Sequence, residues 1–93
     1  MNYYLLFYHV VDDYVTRRSP YRDEHLRLVK EAYERGGLIM AGALANPVDQ
    51  AILVFHVPDK TSIERFIRDD PYVRHGLIKQ WEIRQWTVVI GNV

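Results

Sequence analysis

The order of strand-forming and amphipathic segments constrains the fold of this chain more than any other feature. Four runs are rich in Val, Ile, Leu and aromatic residues and are typical of β-strands, at residues 3–10, 38–43, 51–57 and 78–90. One amphipathic segment separates the first run from the second, and another separates the third from the fourth. The pattern therefore predicts the order strand, helix, strand, strand, helix, strand.

Turn and capping residues predict where the two helices begin and end. Ser19-Pro20 combines an N-cap acceptor with a residue whose φ is preset for a first helical turn, and Gly36-Gly37 is suited to end that helix. Residues 61–64 match a capping box, in which a Thr hydroxyl and a Glu carboxylate bind backbone amides reciprocally. The second helix should stop near Asp70, because Pro71 disfavours the α region for the residue before it.

A chain of 93 residues has room for one hydrophobic core, so we expect a single domain over residues 1–93. The turn-forming residues 45–49 should join the two middle strands as a hairpin. In so short a chain, this order predicts an α+β fold of the ferredoxin-like βαββαβ type, in which both helices cover one face of an antiparallel sheet.

The uncovered face of this sheet should also be apolar. Residues 3–8 and 51–55 are apolar or aromatic at both parities, which indicates cover on both sides of the sheet. A second copy of the chain, packed through the first, third and fourth strands, is the simplest cover, so we expect a homodimer. A mixed polar face or a C-terminal segment that folds back are the alternatives.

Composition excludes several classes of partner. Twelve Lys and Arg against twelve Asp and Glu give a formal charge of zero, so no basic field favours nucleic acid. The apolar run at residues 3–11 is too short to span a bilayer and lacks the flanks of a signal peptide, so we expect a cytoplasmic protein with no membrane partner. The lack of cysteine excludes disulfides and thiolate nucleophiles.

Two ionisable residues occupy the apolar stripes of the predicted helices. His25 begins an i, i+3, i+4, i+7 series on the first helix, and Asp70 ends a similar series on the second. Because the two helices of this fold run antiparallel, the start of the first lies at the same end as the finish of the second. We therefore expect His25 and Asp70 to lie within hydrogen-bond reach, directly or through one water, and to line a cavity.

This placement suits acid–base chemistry. A carboxylate at a helix C-terminus and a cationic imidazole near an N-terminus both oppose the helix macrodipole, so local stability does not explain them. An ionised Asp70 would orient the ring of His25 and stabilise the imidazolium formed when His25 removes a proton. Arg22, one turn earlier on the same side, would bind an anionic group. The alternative is a buried structural hydrogen bond between the helices.

A set of short motifs resembles one known family. Arg22-x-x-His25-Leu26, a glycine at position 42, Asp70-Pro71-Tyr72 and Gly76-Leu77 occur in the order and on the elements seen in the YCII-related family of the dimeric α/β-barrel superfamily. The resemblance covers the whole chain. It departs at Ala43, where a proline commonly follows the glycine, and at Gln85.

The resemblance implies a ferredoxin-like protomer, a dimer packed sheet to sheet and a pocket with His25 and Asp70 as the catalytic pair. Arg22, Gly42 and Tyr72 would then bind the substrate. The activities proposed for such proteins resemble lyase or isomerase chemistry, which needs no metal and no bound cofactor. We therefore expect neither.

Other polar residues are explained more simply by structure. The histidines lack compact metal-ligand spacing, and Ser19 and Ser62 are better suited to helix capping than to nucleophilic attack. His9 and His56 lie on strands, and His75 lies in a turn.

Two hypotheses follow. The first is a dimeric His/Asp acid–base enzyme of lyase or isomerase type that acts on a small carbonyl-bearing or aromatic molecule. The second is a non-catalytic module of the same fold that binds a small molecule or serves as an accessory protein.

Overall fold

The structure of the protein is a computed structural model that describes residues 1–91. The predicted single domain extends to residue 93, and its last two residues lie outside the described part. The elements, in chain order, are β1 (Asn2–Val10), α1 (Tyr14–Arg17), α2 (Arg22–Glu34), β2 (Leu38–Ala43), β3 (Gln50–Val57), α3 (Thr61–Asp69), α4 (Pro71–Arg74) and β4 (Ile78–Trp86).

The four strands form one antiparallel sheet in the order β2-β3-β1-β4. This is the strand order of a ferredoxin-like βαββαβ unit, so the predicted fold class is confirmed. The predicted bounds of β2 are confirmed residue for residue, and β1 and β3 each begin one residue earlier than expected.

The core lies between the sheet and the two long helices. On β1 the even-numbered side chains Tyr4, Leu6, Tyr8 and Val10 are buried, and the odd-numbered ones are half-buried. The apolar stripe of α3 contributes Ile63, Phe66 and Ile67 to the same core. The odd-numbered, half-buried side chains of β1 therefore lie on the face of the sheet away from the helices.

The predicted start of the first helix is wrong, and the second helix starts where predicted but without the expected cap. Ser19-Pro20 begins a single 3-10 turn, Ser19–Tyr21, and α2 follows from Arg22. At α3 the expected capping box does not form; the Asp59 carboxylate instead accepts a hydrogen bond of 2.9 Å from the amide of Thr61. That hydrogen bond lowers the pKa of Asp59. Thr61 is thus already inside the helix and cannot cap it.

The structure differs from the sequence-based prediction in three further places, all between or at the ends of the long elements. The stretch after β1 contains the short helix α1, which buries Tyr14, and the turn expected before β4 contains α4. The last strand ends at Trp86 instead of residue 90. Trp86 pairs with Tyr3, and β1 offers only Asn2 beyond that position, so β4 runs out of a partner strand. Among the described residues, no helix is long and apolar enough to cross a membrane.

Candidate active site

The start of α2 and the end of α3 meet at the same end of the molecule, as the topology predicts. His25 lies in the first turns of α2, and Asp70 is the residue at which α3 ends and α4 begins. Nδ1 of His25 and Oδ1 of Asp70 are 2.8 Å apart. The predicted proximity of the two residues is confirmed.

Asp70 is fully buried, and both of its carboxylate oxygens are engaged in hydrogen bonds. Its Oδ1 also accepts a hydrogen bond of 3.0 Å from the backbone amide of Tyr72, and its Oδ2 accepts one of 2.9 Å from the hydroxyl of Tyr8. The amide bond is the cap of α4, which explains why an aspartate followed by proline stands here. Three donors converge on one carboxylate, so a buried charge is well compensated.

The hydrogen bonds of Asp70 define which nitrogen of His25 is available. Because Asp70 already accepts from Tyr8 and Tyr72, we assign Nδ1 of His25 as a donor to Oδ1, so the neutral ring carries its proton on Nδ1. Nε2 then carries the lone pair that can accept a proton. This arrangement is the one a general base requires.

The ring of Tyr72 packs against the imidazole of His25 and helps to position it. The two rings stack in parallel, with centroids 3.8 Å apart and an interplanar angle of 7°. The edge of the Tyr14 ring in turn meets Tyr72 at a centroid distance of 5.6 Å. The stack and the Asp70 hydrogen bond together restrict both the tilt and the rotation of the imidazole.

Burial dominates the acidity of the tyrosines around this pair. It raises the pKa of Tyr8, and the adjacent Asp70 carboxylate raises it further. Burial also raises the pKa of Tyr72, while the guanidinium of Arg22 acts in the opposite direction. The Tyr72 hydroxyl is buried, and although the Arg22 guanidinium lies near it, no group within residues 1–91 reaches it with hydrogen-bond geometry. Both phenols are therefore held neutral.

A cavity of about 190 Å³ opens beside His25, between α2 and the edge of the sheet formed by β2 and β3. Its wall includes His25, with 13% of its side chain exposed, and Arg22. Small side chains explain the space: Ala43 and Ala51 are directly paired across β2 and β3, where larger residues would fill it.

The predicted site residues differ in their access to this cavity. Gly42 contributes to the wall, and a Cβ built at Gly42 would meet no atom within 4 Å among the described residues. The expectation that Asp70 lines the cavity is wrong, because its side chain is 0% exposed. Tyr72 is 1% exposed and lies behind His25 rather than in the wall.

The remaining histidines lie elsewhere. His56 stacks on Tyr3 and His75 stacks on Tyr21, with ring centroids 4.1 Å apart in both pairs. Within residues 1–91, no three His, Asp or Glu side chains converge as metal ligands would. A larger cavity of about 570 Å³ lies between the end of α2 and the start of α3, and none of the hydrogen-bond partners of the Asp70 side chain lines it.

The YCII-related domain matches residues 1–87, which is nearly the whole chain. The chain belongs to the YCII-related domain family. Comparison with curated proteins finds no significant match to this YCII-related protein.

Solved structures share the fold of this YCII-related protein at low sequence identity. A 5-chloro-2-hydroxyhydroquinone dehydrochlorinase from Burkholderia phenoliruptrix AC1100, solved with 2,5-dihydroxybenzoquinone, is similar with a TM-score of 0.76 and 13% identity, covering 91% of this chain and 93% of that one. An antibiotic biosynthesis monooxygenase gives a TM-score of 0.64 at 11% identity, over 97% and 100% of the two chains. A NIPSNAP family protein from Agrobacterium tumefaciens strain C58 gives 0.58 at 15% identity, over 94% and 91%. These neighbours have the dimeric α/β-barrel fold.

Sequence reasoning missed Tyr8, which both donates to Asp70 and lines the cavity. Its parity on β1 matches that of Tyr4 and Leu6, and that parity faces the helices. Since the other parity is just as apolar, the sequence offers no way to tell which tyrosines point toward Asp70.

Proposed function

We propose that this YCII-related protein is an acid–base enzyme of the lyase or isomerase type, which acts on a small carbonyl-bearing or aromatic molecule. His25 is its general base and acid. The observation that carries the proposal is the 2.8 Å hydrogen bond from Nδ1 of His25 to a fully buried carboxylate, made by a histidine that also lines a cavity.

The proposed reaction begins with proton removal. Nε2 of His25 takes a proton from a carbon next to a carbonyl group of the bound molecule, and Asp70 stabilises the imidazolium that results. Return of that proton to a different atom completes an isomerisation. In an elimination the leaving group departs with its electron pair, and His25 then releases the proton to water. Neither course changes the oxidation state of the protein.

Tyr8 and Tyr72 support this chemistry as positioning residues. Tyr8 holds the second oxygen of Asp70, and Tyr72 supports the flat face of the imidazole. Tyr8 acts on the pair through Asp70, and Tyr72 acts through the imidazole ring, so both are proposed as positioning residues. This replaces the substrate-binding role that the resemblance implied for Tyr72, while Arg22 and Gly42 keep theirs because they line the cavity.

We also propose that the protein works in the cytoplasm as a homodimer packed through its open sheet face. Half-buried apolar side chains cover this face on both central strands, including Leu5 and Phe7 of β1 opposite Val54 and Ile52 of β3. Met40 and Trp86 extend it at the two edges, with 59% and 46% of their surfaces exposed. A face of this kind is stabilised by burial against a second copy.

The proposed function is tested by supplying candidate substrates and measuring proton exchange and loss of the leaving group. We would incubate the protein with unsaturated five-membered lactones and with 5-chloro-2-hydroxyhydroquinone in D₂O, and measure deuterium incorporation by NMR and chloride release. The dehydrochlorinase neighbour motivates the second probe. We expect catalysed exchange or chloride release that His25→Asn abolishes. Tight binding of either probe with no reaction would instead favour the non-catalytic module.

A further inference from the structure

Two arginines give the cavity beside His25 positive charge, while the carboxylate of Asp70 lies buried behind its wall, bound by Tyr8, His25 and the Tyr72 amide. Arg18 and Arg22 both line the cavity, and within residues 1–91 no Asp or Glu contributes to its wall. Neither arginine forms an ion pair with a carboxylate in that part of the chain. By contrast, the neighbouring Arg17 is paired with Asp13.

Both arginine side chains are half-buried, and each lies beside a tyrosine. Arg18 is half-buried, and its guanidinium carbon lies 5.1 Å from the centre of the Tyr14 ring, a cation–π contact. Arg22 is half-buried as well and lies near the Tyr72 hydroxyl, where its charge partly offsets the rise that burial causes in the pKa of that hydroxyl. Partly desolvated guanidinium groups bind an oxyanion with less loss of side-chain entropy than fully exposed ones.

The size of the cavity limits the rest of the ligand. An apolar cavity of about 150 Å³ holds one benzene molecule. The cavity beside His25, at about 190 Å³, therefore has space for one ring and a small substituent. Apart from its charged residues, the wall consists largely of small or aliphatic residues, among them Ala41, Ala43 and Leu53. These would contact the ring.

We infer that this cavity is selective for a single-ring organic anion, whose negatively charged oxygen binds Arg18 and Arg22 while its ring lies against the alanines and presents a carbon to His25. Arg18 is then a specificity-determining residue. This inference rests on the proposed function for the role of His25, but the selectivity for an anion can be measured without turnover. The oxyanion is either a carboxylate or an ionised ring hydroxyl.

Titration calorimetry with three probes tests the inference. Benzoate supplies a carboxylate, 2,5-dihydroxybenzoquinone supplies ionised ring hydroxyls, and benzamide is the uncharged match to benzoate. We expect the wild-type protein to bind at least one of the two anions about tenfold or more tightly than benzamide, with the difference shrinking as salt is added. The anion that binds more tightly identifies the source of the oxyanion.

Arginine variants test which side chain provides the selectivity for an anion over benzamide. Arg18→Gln should weaken binding of the preferred anion by about tenfold or more and leave benzamide binding unchanged, whereas Arg18→Lys should retain part of the selectivity. Arg27→Gln is the matched control, because Arg27 is exposed on α2 and does not line this cavity. A thermal melt of each variant establishes that it folds.

Three results would overturn the inference: no binding of either anion at millimolar concentration, equal affinity for the anions and benzamide, or the same anion affinity in Arg18→Gln and Arg27→Gln. The proposed function fails by a different result. If His25→Asn keeps full activity, acid–base catalysis by His25 is wrong, whatever the calorimetry shows. Anion selectivity that survives His25→Asn supports the inference, since the charge belongs to the arginines.

Discussion

Nδ1 of His25 and Oδ1 of Asp70 are 2.8 Å apart although 45 residues separate them in the chain. The contact joins the beginning of one long helix to the end of the other. A buried aspartate at such a junction can serve folding, by tying the helices together, or chemistry, by orienting the imidazole. Substitutions of His25, Tyr8 and Tyr72 separate these roles.

Replacement of His25 should affect chemistry more than stability. His25→Asn should lower the rate of proton transfer by roughly 10² or more, because the base is lost. Asp70 keeps the hydrogen bonds from Tyr8 and the Tyr72 amide, so the melting temperature should change little. His75→Asn is a matched control, since His75 also stacks on a tyrosine but does not contact Asp70. A large loss of stability in His25→Asn with unchanged activity would favour the structural role.

Removal of the Tyr8 hydroxyl should destabilise the fold and loosen the catalytic pair. Tyr8→Phe leaves Oδ2 of a fully buried carboxylate without its donor, at a cost of about 1 to 3 kcal/mol. Urea denaturation measures that cost. The second readout is the dependence of activity on pH. If Tyr8 positions the pair, Tyr8→Phe should both lower kcat and shift the pH profile. If only stability changes, Tyr8 does not position the pair.

Much of this arrangement could be predicted from the sequence, and the exceptions have physical reasons. The helical spacing around His25 and Asp70 and the topology together predicted their proximity. The donor to Oδ2 could not be identified, because both parities of β1 are apolar and only the packing of the helices selects the one that contains Tyr8. The cavity depends on the distance between α2 and β2, which no local pattern specifies.

Tyr72 should tolerate loss of its hydroxyl but not of its ring. The hydroxyl is buried, and no group among residues 1–91 reaches it with hydrogen-bond geometry, so Tyr72→Phe should leave the free energy of unfolding unchanged or raise it by about 1 kcal/mol. Tyr72→Leu removes the ring that stacks on His25 and should lower activity as well as stability. Equal activity in the two variants would argue against a role of the stack in positioning His25.

Alkaline pH should destabilise the protein through Tyr8. Burial and the Asp70 carboxylate raise its pKa above the ordinary value of 10.0, so the folded state keeps a proton that the unfolded chain releases. The contribution of neutral Tyr8 to stability is fully present below pH 10.0, the ordinary pKa of tyrosine. Above it the free energy of unfolding should fall by about 1.36 kcal/mol per pH unit for this one proton.

Denaturation curves measured from neutral pH to about pH 11 test this dependence. The free energy of unfolding should fall less steeply with pH in Tyr8→Phe than in the wild type. Tyr72 should account for part of the remaining fall, because its pKa is raised as well. Tyr33→Phe is the control, since Tyr33 is 61% exposed. A slope that Tyr8→Phe and Tyr33→Phe alter equally would contradict the assignment to Tyr8.

The open face of the sheet should hold two protomers together. Light scattering at micromolar concentration should give a mass near twice 11.0 kDa. Val54→Asp places a charge in the centre of that face, beside Leu5, and should give a monomer whose core between sheet and helices is intact. Val15→Asp is the matched control, because Val15 is 50% exposed on α1, and it should leave the dimer unchanged. A wild-type protein that scatters as a single protomer would show that this face is stable in water, and the dimer proposal would then be wrong.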